Sequence, residues 1–129
     1  MELTQQRVYD IRPAEVVAVE RDDENLAYLW FADPRQGEVR YVSLARSLSN
    51  GSIHAERDDQ KWCCYDGITA VELRGGQLLV HFDPTAAGQL GGVELVRVDC
   101  QGMNEETLER IEHALRAMFA DSGIPLTMS

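Results

Sequence analysis

Ile68-Thr69-Ala70-Val71-Glu72-Leu73-Arg74-Gly75-Gly76-Gln77-Leu78-Leu79-Val80-His81-Phe82-Asp83 is the stretch that decides the architecture. Two apolar-rich runs flank a glycine pair able to take the positive φ angles of a two-residue hairpin turn. Pairing across that turn sets Leu73 opposite Leu78, Val71 opposite Val80 and Thr69 opposite Phe82. All three pairs share one face, because side chains along a strand repeat every second residue. The other face takes Glu72 with Leu79 and Ala70 with His81, a mixed and half-solvated set. A slip of one residue would turn Val80 and Phe82 to water, so the hydrophobic pattern selects this register.

Downstream, Asp83 reads as the N-cap of a single helical turn with Pro84 in its first position, closed by Gly91-Gly92. Val93 to Val98 reads as another strand. Asn104 then caps a helix, with Glu105 and Glu106 in the first turn, where the positive end of the helix dipole favours acids. Leu108, Ile111, Leu115, Met118 and Phe119 form its apolar stripe. Glu106–Arg110 and Glu112–Arg116 are acid-before-base pairs four residues apart, and Gly123 and Pro125 end the helix.

Upstream, Pro13 disfavours helix at Arg12, and Val16 to Val19 is a short β-type run. Leu26-Ala27-Tyr28-Leu29-Trp30-Phe31 is apolar at both alternations and predicts a central strand covered on both sides. Turn chemistry at Asp33-Pro34-Arg35-Gln36-Gly37 and a returning strand from Val39 to Ala45 predict a hairpin. Together these elements predict an α+β fold: a mostly antiparallel β-sheet with one long C-terminal amphipathic helix packed on one face. A single domain spans residues 1–129, with 1–13 an irregular lead-in and 122–129 a tail.

Acids outnumber bases 22 to 12, a net charge of −10, and the surplus is spread along the whole chain rather than gathered in a tail. Such a field repels nucleic acid and anionic membrane and speeds encounter with a basic partner. No apolar run approaches the roughly 20 residues that cross a bilayer, and no apolar segment follows Met1. Three cysteines in no scaffold spacing suit a reducing compartment, so the expected location is cytoplasmic.

No chemical motif accompanies the charge. Cys63, Cys64, His81 and Cys100 are the sharpest metal candidates, yet adjacent cysteines in a strand point to opposite faces and do not share one ion. Free thiols packed as small hydrophobes are the simpler reading. His54 near Asp58 and Asp59 has the makings of a general base, although a histidine among charges is more often solvated. No phosphate-cradling, zinc-protease or calcium-loop pattern occurs. The expectation is a binding protein, not an enzyme, with no cofactor. Trp62 and Tyr65 beside Glu56, Asp58 and Asp59 look like an aromatic anchor ringed by acids. Trp62 as plain core is the competing reading.

Three segments taken together resemble immunity protein family 10, small proteins of bacterial polymorphic-toxin systems. The first is Asp22-Asp23-Glu24-Asn25-Leu26 running into Leu29-Trp30-Phe31-Ala32-Asp33. The second is Tyr41 through Arg46-Ser47-Leu48. The third runs from Tyr65-Asp66-Gly67-Ile68 through Val71-Glu72-Leu73 to Leu78 and Ala86-Ala87. The likeness covers about residues 14 to 119. A departure follows Leu48, where Ser49-Asn50-Gly51-Ser52 is short and polar in place of an acidic stretch. The resemblance implies a protein that occludes a cognate toxin stoichiometrically, and it carries over no catalytic residue. If the toxin is a nuclease, its substrate face is basic, and an acidic inhibitor imitates the phosphate backbone. Asp22, Asp23, Glu24, Glu56, Asp58, Asp59 and Trp62 are the expected contacts, and the protein is expected as a monomer or homodimer. The rival readings are a small metal- or thiol-dependent enzyme and an acidic accessory domain whose charge serves solubility.

Overall fold

The computed structural model describes residues 7–34, 40–49 and 51–129. Ten strands and two helices follow one another as β1 (Val8–Ile11), β2 (Glu15–Val19), β3 (Leu26–Asp33), β4 (Arg40–Ser47), β5 (Ile53–Arg57), β6 (Asp59–Tyr65), β7 (Ile68–Arg74), β8 (Gln77–Phe82), α1 (Pro84–Gln89), β9 (Leu95–Asp99), α2 (Glu105–Phe119) and β10 (Leu126–Met128). The fold is α+β with mostly antiparallel strands. They form two five-stranded sheets: an antiparallel meander in the order β2-β3-β4-β5-β6, and a mixed sheet in the order β1-β9-β8-β7-β10.

The glycine hairpin joins β7 and β8 inside the mixed sheet. Gly75 and Gly76 both have positive φ, 59° and 74°, the backbone of a primed turn that matches the twist of paired strands. Leu73 faces Leu78, Val71 faces Val80, Glu72 faces Leu79 and Ala70 faces His81. One expected pair is displaced: Ile68, not Thr69, lies opposite Phe82, because the register shifts between Ile68 and Ala70. An extra residue in one strand costs one ladder position but keeps apolar Ile68 on the buried face, leaving Thr69 exposed.

The flanks of the chain are ordered into this sheet. The stretch expected as an irregular lead-in holds β1, which pairs parallel to β9, and the expected tail holds β10, parallel to β7. Four and three residues are too few for a periodic pattern to declare itself. Their partners are also distant in sequence.

In the meander, β3 alternates: Ala27, Leu29 and Phe31 are buried, whereas Tyr28 and Trp30 are only half-buried. The expected cover on both sides is absent. Large aromatic rings with a polar tip read as apolar in a pattern yet tolerate a partly wet face. β3 pairs with β4 as the expected hairpin. The connecting turn and Val39 fall on residues 35–39, and Asn50 of the polar segment after Leu48 stands apart too, so these lie outside the described residues. The strands β5 and β6 form a hairpin whose register shifts between Glu56 and Arg57.

Both capped helices are present. The Asp83 carboxylate accepts from the Ala86 N–H at 2.7 Å, and the Asn104 side chain accepts from the Thr107 N–H at 2.8 Å. In α2, Ile111, Ala114, Leu115, Met118 and Phe119 are buried, and Arg110 donates to Glu106 at 2.8 Å. These side chains belong to one hydrophobic cluster with Leu29, Phe31 and Leu44 of the meander and Val71, Leu78, Val80 and Val98 of the mixed sheet.

Candidate functional site

The register of the meander sorts its side chains onto two faces. Leu29, Leu44, Ala55 and Cys64 form one cross-strand row turned to the core. Between such rows lie two that point the other way: Val17, Trp30, Ser43, Glu56, Cys63, and Val19, Tyr28, Ala45, His54, Tyr65. Tyr41, opposite Ala32, shares this outer face. It is only partly shielded, with Val17 at 42% and Tyr65 at 66% exposure. Small Ser43 and Ala45 sit in the central strand between the larger rings.

Glu56 lies on this face between Ser43 and Cys63. The Tyr41 hydroxyl donates to its carboxylate in a short hydrogen bond, a diagonal contact between neighbouring strands. His54 Nε2 stands 3.7 Å from its other oxygen, and the His54 and Tyr65 rings meet tilted at 4.9 Å. Burial pushes the Tyr28 hydroxyl above its ordinary pKa, and the Glu56 charge adds to this. Tyr41 is raised further, by burial, by its bond to Glu56, and by the charges of Glu56, Asp59 and Asp58. The three carboxylates therefore share one field at the Tyr41 end of the face.

Arginines of the meander are directed elsewhere. Arg40 donates to the Asp10 carbonyl at 2.9 Å and stands over the Tyr9 ring at 4.6 Å. Arg46 donates to the Met118 and Ala120 carbonyls at 2.6 and 2.7 Å, at the end of α2. Arg57 donates to the Leu90 carbonyl at 2.7 Å, at the end of α1. By strand alternation all three belong to the inner side of the sheet. There they satisfy carbonyls that helix ends and edges leave open.

The expected contact residues divide into two groups. Asp22, Asp23 and Glu24 are exposed in the β2–β3 turn, where Asp22 Oδ1 accepts from the Glu24 and Leu26 N–H groups at 2.8 and 2.9 Å. Glu56, Asp58, Asp59 and Trp62 lie toward the other end of the meander. The eight residues of β3 separate these ends by roughly 25 Å. Asp58 occupies the β5–β6 turn with φ of 60° and is committed to internal bonds: it accepts from the Tyr9 hydroxyl, from the Tyr41 N–H at 3.0 Å and from Arg57 at 3.1 Å. Asp59 accepts from the Lys61 N–H at 3.0 Å and is exposed. Trp62 is half-buried, and Arg57 and Lys61 each stand 5.3 Å from its ring centroid, cations that the expected ring of acids did not include. Tyr28, Trp30 and Tyr41, which sequence reasoning did not single out, join the face, and His54, expected near Asp58 and Asp59, lies on it beside Glu56. Their common signal is alternate spacing along strands, visible only once the register is known.

The four metal or thiol candidates stand on separate surfaces. Cys63 is on the outer face of the meander, Cys64 and Cys100 are buried, and His81 faces away from the core on the mixed sheet, 3.1 Å from Glu72. Among the described residues, no three His, Cys, Asp or Glu side chains gather around a common point suited to a metal ion. Burial raises the Cys64 and Cys100 thiols from 9.0 to about 11, which keeps both protonated. No described helix is long and apolar enough to cross a membrane.

Compared with known families, residues 13–108 match the family described as Immunity protein 10. Comparison with curated proteins and with solved structures found no match.

Proposed function

The chain belongs to the Immunity protein 10 family, and on that premise we propose that it binds a cognate bacterial toxin domain and neutralises it by stoichiometric occlusion. The match over residues 13–108 is the observation that carries this reading. The net charge of −10 supports a partner with a basic surface, since opposite fields speed and orient encounter. In this reading the protein is a single cytoplasmic domain that acts by contact rather than catalysis. Its helix α2 packs on the inner side of the meander, which leaves the outer face, among the described residues, as the side for contact. Contacts come from Glu56, Asp59 and Trp62 at one end of the meander and from Asp22, Asp23 and Glu24 at the other. Asp58 shapes that first end through its turn.

The test is to mix the protein with the toxin domain encoded beside its gene and to measure toxin activity together with complex mass. Full inhibition at one equivalent, with a single species of the summed mass, is the expected result. Undiminished toxin activity with no complex would end the reading.

A further inference from the structure

The outer face of the meander combines three properties. It presents aromatic rings from four strands: Trp30 and Tyr28 from β3, Tyr41 from β4, His54 from β5 and Tyr65 from β6. Its carboxylate Glu56 is only 17% exposed, so its charge is poorly screened. Arginines that would neutralise it are held at Asp10, Leu90, Met118 and Ala120 by hydrogen bonds of 2.6–2.9 Å. A half-buried carboxylate between tyrosine rings is a receptor for a guanidinium or ammonium group. The rings supply cation–π attraction and apolar contact, and the carboxylate supplies the counter-charge.

We infer that this face is where the toxin partner docks, and that it receives a lysine or arginine side chain of that partner between Tyr28, Tyr41 and Tyr65 against Glu56. The inference rests on the proposed function and adds the surface and the chemistry of recognition. Charge complementarity commits it to a basic protein. Every outer-row position named above is apolar, small, polar or acidic except His54, and Asp59 adds charge beside Tyr41. Tyr65, the most exposed of the rings, is placed as an anchor that can be desolvated at little conformational cost.

The experiment measures binding of the neighbouring toxin domain to four proteins: the native chain, Glu56→Gln, Tyr65→Ser, and the double variant Asp22→Asn/Asp23→Asn. Far-UV circular dichroism and thermal melting establish that each is folded. Tyr65→Ser removes a mostly exposed ring, so it tests the face even if Glu56→Gln fails to fold. Glu56→Gln and Tyr65→Ser should each weaken binding roughly tenfold or more. Glu56→Gln should also flatten the salt dependence of association between about 50 and 300 mM. The Asp22/Asp23 variant, which removes exposed charges at the far end of the sheet, should weaken binding less than either face variant. Native-like binding by both face variants, with loss in the Asp22/Asp23 variant, overturns the surface while the toxin-binding function stands. Failure of the native chain to bind overturns both. A homodimer that Tyr65→Ser dissociates would identify a second copy as the occupant and would likewise overturn the inference.

Discussion

Asp58 gathers four interactions from a backbone conformation that few residues adopt. Its φ of 60° lies in the left-handed region, where aspartate and asparagine are tolerated better than most non-glycine residues. From there its N–H donates to the Tyr41 carbonyl at 3.0 Å, while its carboxylate accepts from Tyr9, the Tyr41 N–H and Arg57. Tyr9 comes from β1 of the mixed sheet, so one turn residue ties the two sheets together. Asp58→Ala should therefore lower stability by about 2–3 kcal/mol, because it leaves half-buried donors unpaired and strains the turn. Asp58→Asn, which keeps the turn preference and an acceptor, should cost about half as much in a urea titration. Equal losses would show that the turn preference and the acceptor that asparagine keeps carry nothing. Such aspartates also change how the acidic surplus is read. Asp22, Asp59, Asp66, Asp83 and Asp99 each accept main-chain N–H groups in turns or caps. Part of the charge therefore serves local backbone geometry.

At the scale of elements, two arginines of the meander act as cross-links between a sheet and the ends of helices. The last carbonyls of a helix lack intrahelical partners and carry the negative end of its dipole. Arg46, from β4, reaches Met118 and Ala120 at the end of α2, and also the Gly51 carbonyl at 3.1 Å. Arg57, from β5, does the same for α1 through Leu90. Arg46→Met keeps most of the apolar stem but removes three hydrogen bonds, and it should destabilise by about 2 kcal/mol. Amide exchange should quicken preferentially in the last turn of α2 if the bonds hold that turn. Uniform exchange changes would contradict this. Neither contact is legible in the chain. An arginine in an alternating strand reads as a solvent-facing residue, and the partner carbonyl lies more than seventy positions away for Arg46. The glycine hairpin and the two capped helices were legible, because their determinants lie within a few residues of one another.

At the scale of the whole molecule, several weak acids are kept neutral by burial. Cys64 and Cys100 are raised to about 11, and Tyr9 and Tyr41 are raised above the ordinary tyrosine value of 10.0. For Tyr9, burial acts first and its bond to Asp58 adds to it. Each group binds its proton more tightly in the folded state than in the unfolded chain. Their contribution is thus present in full below the unfolded values and is lost as pH rises through the folded ones. Stability should be flat up to about pH 9 and then fall, at a slope approaching 1.4 kcal/mol per pH unit for each ionising group. Urea midpoints measured across pH 7–11 check this, and midpoints that hold steady to pH 11 would refute it. Removing Cys64 and Cys100 together, as alanines, should shallow the fall near pH 9–10 while lowering the plateau through lost packing.

The sequence by itself determined the β7–β8 hairpin, the caps of both helices, the α+β class and the family. Each rests on residues close together in the chain or on a pattern that survives without a partner. It did not determine that the strands divide into two sheets, that the chain's flanks close the mixed sheet as parallel edges, or which side of β3 faces water. Those depend on pairings between distant segments, and short strands carry too little periodicity to announce them. The candidate site followed the same division. Acids clustered in sequence at Asp22–Glu24 and Glu56–Asp59 end up at opposite ends of one sheet. The aromatic face around Glu56 is assembled from residues on successive strands that only the tertiary register brings side by side.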